Sequence, residues 1–95
     1  MLGKWIKRYW GKGNIITFEL DDWYKWYKEP EKFHRAAVKH LRDEGHIVET
    51  ISVVRTVYSN KISVLVVDGI KYELSAITDR QTGITQLAQI RRIDV

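Results

Sequence analysis

Cysteine is absent from this 95-residue chain, proline occurs once and glycine six times. Without cysteine there is no disulfide scaffold and no thiolate zinc site, and a reducing intracellular setting is compatible. So little proline and glycine, with 44% apolar and 29% charged residues, excludes a disordered or low-complexity tail. No apolar run approaches the roughly 18 residues of a membrane span, and none has the form of a secretory leader. No repeat or linker divides the chain. The expectation is a single intracellular, cytoplasmic domain over residues 1–95 that needs no membrane.

What is present is aromatic and locally basic. Four Trp and five Tyr supply large rings to a small core. Sixteen Lys and Arg face twelve Asp and Glu, a net charge of +4. Lys4, Lys7, Arg8 and Lys12 account for that excess, because no acid lies before residue 13 and the rest of the chain balances. A polyanion responds to such a patch more than to the overall isoelectric point.

Residues 1–45 read as helical and 46–95 as antiparallel strands. In segment 2–10, Leu2, Trp5, Ile6, Tyr9 and Trp10 fall opposite Lys4, Lys7 and Arg8 on a helical wheel, and Gly11 and Gly13 end the helix. Ile15 to Phe18 is a short extended piece. A second helix is expected over 19–28, with Leu20, Trp23, Trp26 and Tyr27 as its apolar stripe. The third runs from Pro30, which suits a first helical position, to Gly45, which suits the residue after the last turn. Its apolar face carries Phe33, Ala37, Val38 and Leu41. Lys32, Arg35, Lys39 and Arg42 share the opposite stripe, edged by Glu31 and Asp43.

Beyond Gly45, β-branched residues predict strands near 47–57, 61–67, 70–78 and 84–93. Asp68-Gly69 is a two-residue hairpin signal requiring positive φ at both positions. Ser59-Asn60 and Arg80 to Gly83 mark further turns.

The order helix, strand, helix, turn, helix, hairpin resembles a winged helix-turn-helix domain across residues 2–76. Leu41-Arg42-Asp43-Glu44-Gly45, then Ile47, with a later Tyr72-Glu73-Leu74, is similar to the pattern in biotin-operon-type repressors and small phage and archaeal regulators. Thr17 to Trp26 resembles the second helix of that family. The resemblance implies an α+β winged helix: three helices, a wing formed by the 47–67 hairpin, and extra C-terminal strands 70–93 that extend the wing or form a dimer seam. It also implies a DNA-binding transcription regulator or replication accessory factor, viral or archaeal in type, acting as a homodimer on double-stranded DNA.

Helix 30–44 then enters the major groove, whose phosphate walls favour cations beside the base-reading positions. Arg35 is placed to reach a guanine edge and Lys39 and Arg42 to meet phosphates, with Lys32 on the same stripe. Arg55 and Lys61 near the wing tip, with Lys4, Lys7 and Arg8, complete the expected interface. This reading requires the four stripe cations to project together, free of carboxylates.

Chemistry is expected to be absent. His34, His40 and His46 lack a third ligand for a metal. Asp21 and Asp22 suit a helix start, and Asp68 suits its turn. No nucleophile, base and orienting group assemble, so neither an enzyme nor a cofactor is expected. The rival readings are a virus-encoded protein-interaction module using exposed edges of the C-terminal sheet, and a small toxin-like ribonuclease.

Overall fold

A computed structural model describes residues 14–20, 22–79 and 85–93. Within them the chain forms β1 (Ile15–Glu19), α1 (Pro30–Asp43), β2 (Val48–Val53), β3 (Lys61–Val67), β4 (Ile70–Asp79) and β5 (Thr85–Arg92). The five strands make one antiparallel sheet in the order β1-β5-β4-β3-β2, and α1 packs on one of its faces, against β2 and β3. No helix among these residues is long and apolar enough to cross a membrane.

This architecture corrects the three-helix-plus-wing fold. Among the described residues there is a single helix, and the expected wing strands are two of the five in a continuous sheet. The expected helix over 19–28 does not form. Thr17, Phe18 and Glu19 pair instead with Gln89, Ala88 and Leu87. Segment 22–29 is irregular, with one turn closed by Lys28 and Glu29 N–H groups on the Lys25 carbonyl. Burial explains why. Tyr24 and Trp26 turn inward while Trp23, Lys25 and Tyr27 stay exposed, a two-residue alternation belonging to extended chain. The segment is tethered by Gln86, a buried residue of β5. Its amide accepts the Tyr24 N–H at 2.9 Å and donates to the Tyr24 carbonyl at 2.7 Å. One side chain thus satisfies backbone groups that a helix would have paired internally. The helix expected over 2–10 and the turn over 80–83 lie outside the described residues.

Other expectations hold. α1 starts with Pro30 at its first turn and carries acidic Glu31 there. It ends in a Schellman arrangement: Gly45, at φ +97, donates to the Arg42 carbonyl, and His46 donates to that of Leu41. Asp68 and Gly69 both have positive φ, 51 and 84, as a type I′ hairpin turn needs. The C-terminal strands extend the same sheet. β5 is paired on both sides, by β1 and β4, so it offers no edge to another chain. Among the described residues, the sheet's edge strands are β1 and β2.

The core lies between α1 and the sheet face built by Ile16, Phe18, Leu65, Leu74, Ala76, Ala88 and Ile90, into which Phe33, Ala37 and Leu41 insert. His40 stacks on Phe18 with ring centres 4.5 Å apart. The opposite face is mixed, with Val64, Val66, Ile77 and Leu87 among Glu73, Gln89 and Arg91.

Candidate nucleic-acid interface

The four stripe cations of α1 do point outward together and are all exposed, but they are not free. Lys32 lies 3.0 Å from Glu29, Arg35 2.9 Å from Glu31, and Lys39 2.7 Å from Asp43. Arg42 donates to the Val48 carbonyl at 2.9 Å. Each exposed ion pair contributes only about 0.3–0.5 kcal/mol, so a phosphate can compete locally. Three carboxylates among four cations nonetheless cancel most of the field that would draw in a duplex. Lys61 stands on the opposite sheet face, 3.8 Å from Glu73, which Arg91 also approaches at 3.3 Å. Arg55 is exposed in the loop after β2. Lys4, Lys7 and Arg8 lie outside the described residues. Lys61 therefore stands apart from the α1 stripe, whereas Lys32 and Arg55 line one cavity.

A different grouping stands beside the start of α1. Because 22–29 is irregular, with a turn at 25–29, and not a continuous helix, it displays Trp23 and Tyr27, 56% and 52% exposed, beside Lys25 and Lys28. Tyr27 is held edge-on by Trp26 at 5.6 Å. Two cavities flank this segment and share Glu29 and Lys32. One of about 480 Å³ is lined by Asp22, Trp23, Tyr24, Lys25 and those two residues. The other, about 410 Å³, runs from Lys28 across the first residues of α1 to Val53, Val54 and Arg55. Among the described residues no carboxylate comes within ion-pair distance of Lys25, Lys28 or Arg55. Planar rings interleaved with free cations are what stacking on bases and neutralising phosphates require. The sequence signal was the alternation Trp-Tyr-Lys-Trp-Tyr-Lys, which also fits an amphipathic helix.

Two histidines are engaged in ways sequence reasoning did not anticipate. His34 is buried beneath α1, its Nδ1 2.6 Å from Ser63 Oγ and its Nε2 2.7 Å from Thr50 Oγ1. Burial lowers its pKa, and Arg35 and Arg42 push the same way against Glu31. On the helical wheel His34 sits between Leu41 and Val38, a signal for burial. His46 lies 2.5 Å from Asp68, whose other oxygen accepts the Ile47 N–H. The Ile47 hydrogen bond and then that of His46 hold the Asp68 carboxyl below the usual carboxylate range. This clasp joins the end of α1 to the β3–β4 turn. Among the described residues, no three His, Asp or Glu side chains are grouped to hold a metal ion.

No family model, no curated protein and no solved structure matches the chain.

Proposed function

We propose that the protein binds nucleic acid as a single strand, along the groove that passes from Trp23 and Lys25 over Lys28 and Lys32 to Arg55. The observation carrying this reading is the exposure of Trp23 and Tyr27 beside Lys25 and Lys28, cations without carboxylate partners among the described residues. Stacking on a ring tolerates any base, because every base has a π-face, and lysines along the path release counterions from the backbone. The basic N-terminal residues Lys4, Lys7 and Arg8 add long-range attraction for the same polyanion. The biological setting for such a protein is intracellular, as a replication or transcription accessory factor.

Fluorescence anisotropy with a mixed-sequence 12-mer, as DNA and as RNA, tests the proposal. The expected result is binding at 50 mM salt that weakens in proportion to log salt, with duplex of the same sequence binding less tightly. No binding to either single strand at 50 mM salt overturns it.

A second reading is favoured by Ile47, Ile51 and Tyr58, exposed by 73%, 51% and 94% along and beyond the free edge of β2. These suit a protein partner or a second copy of the chain. The bulge at Ile51, which leaves that residue unpaired between Thr50 and Ser52, and the charge of Glu49 make this edge a poor template for strand addition, so this reading stands second. Concentration-dependent dimerisation in sedimentation that Ile51→Lys abolishes, together with no oligonucleotide binding, would favour it.

A further inference from the structure

The buried histidine makes a second site. A polar imidazole under a helix is costly unless both nitrogens are bonded, and a leucine would fill the same volume at lower cost. The chain instead aligns three polar side chains from three elements: Ser63 of β3, 4% exposed; His34 of α1, 3% exposed; and Thr50 of β2, exposed at the surface. Protons along this line can be assigned. Ser63 is enclosed, and among the described residues His34 is the one side-chain partner its hydroxyl has. Its single proton therefore goes to Nδ1. The neutral ring then carries its proton on Nε2 and donates it to Thr50 Oγ1. Thr50, having accepted, keeps its own proton free to donate outward.

Thr50 lines a cavity of about 300 Å³ together with His34, Arg35, Val38, Lys39 and Arg42. Residues 35, 38, 39 and 42 share one face of α1, spaced as neighbours on a helix. The lining contains three cations and a hydroxyl donor and no carboxylate. Arg35 and Lys39 keep their exposed ion pairs to Glu31 and Asp43, each worth only about 0.3–0.5 kcal/mol and open to displacement by a bound anion. Arg42 bonds to the Val48 carbonyl, and no carboxylate among the described residues pairs with it. A pocket built of donors and positive charge selects a tetrahedral oxyanion over a neutral or cationic ligand.

We propose that the cleft between α1 and β2 is a phosphate-binding site, in which Arg35, Lys39 and Arg42 supply charge and Thr50, oriented by His34 and Ser63, supplies a directed hydroxyl donor. The phosphate is free or terminates a larger molecule. The site does not rest on the aromatic groove, so either stands without the other.

Titration of the ¹⁵N-labelled protein with inorganic phosphate, at ionic strength held constant with chloride, tests it by NMR. Expected are saturable shifts at the Thr50 amide and the Arg35 and Arg42 side-chain N–H groups, and a His34 ring protonated at Nε2. Thr50→Val removes the donor and keeps the shape, and is expected to weaken binding about tenfold. Arg35→Gln, at an exposed position, weakens it comparably and keeps the test valid if Thr50→Val does not fold. Lys71→Gln, at an exposed position on β4, leaves it unchanged. Shifts that never saturate, a His34 proton on Nδ1, or undiminished affinity in either variant of the cleft would overturn the site. With 5′-phosphorylated and 5′-hydroxyl oligonucleotides as probes, tighter phosphate-dependent binding identifies a strand end as the ligand. Phosphate binding without that difference identifies the free ion, and phosphate binding with no oligonucleotide affinity rejects the single-strand reading alone.

Discussion

Two basic surfaces meet near Lys32, and they differ in what neutralises them. On the outer face of α1, Lys32, Arg35 and Lys39 each have a carboxylate one helical turn away. On segment 22–28, Lys25 and Lys28 are interspersed in sequence with Trp23, Tyr24, Trp26 and Tyr27, and no carboxylate among the described residues comes within ion-pair distance of them. The difference follows from backbone geometry. A helix brings i and i+4 together and lets acids and bases written in one sequence discharge each other. An irregular segment imposes no such spacing, and here it leaves Trp23, Lys25, Tyr27 and Lys28 outward. Counting charges on a helical wheel therefore overstates the charge a ligand meets.

That contrast is broken or sharpened by substitution. The largest effect is expected from Trp23→Ala with Tyr27→Ala. Each lost stacking partner costs about 1–3 kcal/mol, or roughly 5- to 150-fold in oligonucleotide affinity. Anisotropy reads this directly, and an unchanged Kd would remove the rings from the interface. Lys25→Gln with Lys28→Gln acts less on affinity and more on salt dependence, lowering the slope of log K against log salt by about 0.7 per lysine engaged. An unaltered slope would place the strand elsewhere.

Acidification probes the seam beneath the α1 surface. Because the pKa of His34 is lowered in the folded chain, the unfolded chain takes up that proton first. The His34 contribution to stability is complete above pH 6.5 and declines as pH falls below it, towards the folded midpoint. Urea midpoints should drop over that window, and NMR should place the His34 titration below 6.5. A midpoint at or above that value contradicts its burial. Asp68 acts in a lower window: its depressed pKa stabilises the clasp above the ordinary carboxylate range and loses effect only below about pH 4. The smallest effect is expected from Glu31→Gln with Asp43→Asn. Stability changes by no more than about 0.5 kcal/mol per pair, while oligonucleotide binding at low salt tightens as Arg35 and Lys39 are released. No tightening would mean that the α1 face takes no part in attracting nucleic acid.

The sequence made much of this legible where one local rule dominated. Pro30 and Gly45 delimit α1 within a residue or two, and Asp68-Gly69 fixes its hairpin. The strand alphabet after Gly45 yields β2 to β5 near their observed bounds. It failed where a distant residue decided the outcome. Nothing local to Trp23–Lys28 announces that Gln86, some 60 positions on, satisfies the Tyr24 backbone and holds the segment extended. Likewise, pairing of Glu29, Glu31 and Asp43 with the stripe depends on side-chain reach, which a wheel does not represent. The site residues it named at Arg55 and Lys32 do border the aromatic groove, whereas Trp23 and Tyr27 were read as core.

The order of strands also governs synthesis. β1 precedes the other described strands in the chain, yet among the described residues its one strand partner is β5, and Ile16 and Phe18 reach their places opposite Ile90 and Ala88 once that strand exists. The β2-to-β5 meander can zip through short loops as it emerges from the ribosome, but sheet closure waits for Thr85–Arg92. Closure of this five-stranded sheet therefore follows translation of β5, with β1 docking after the meander.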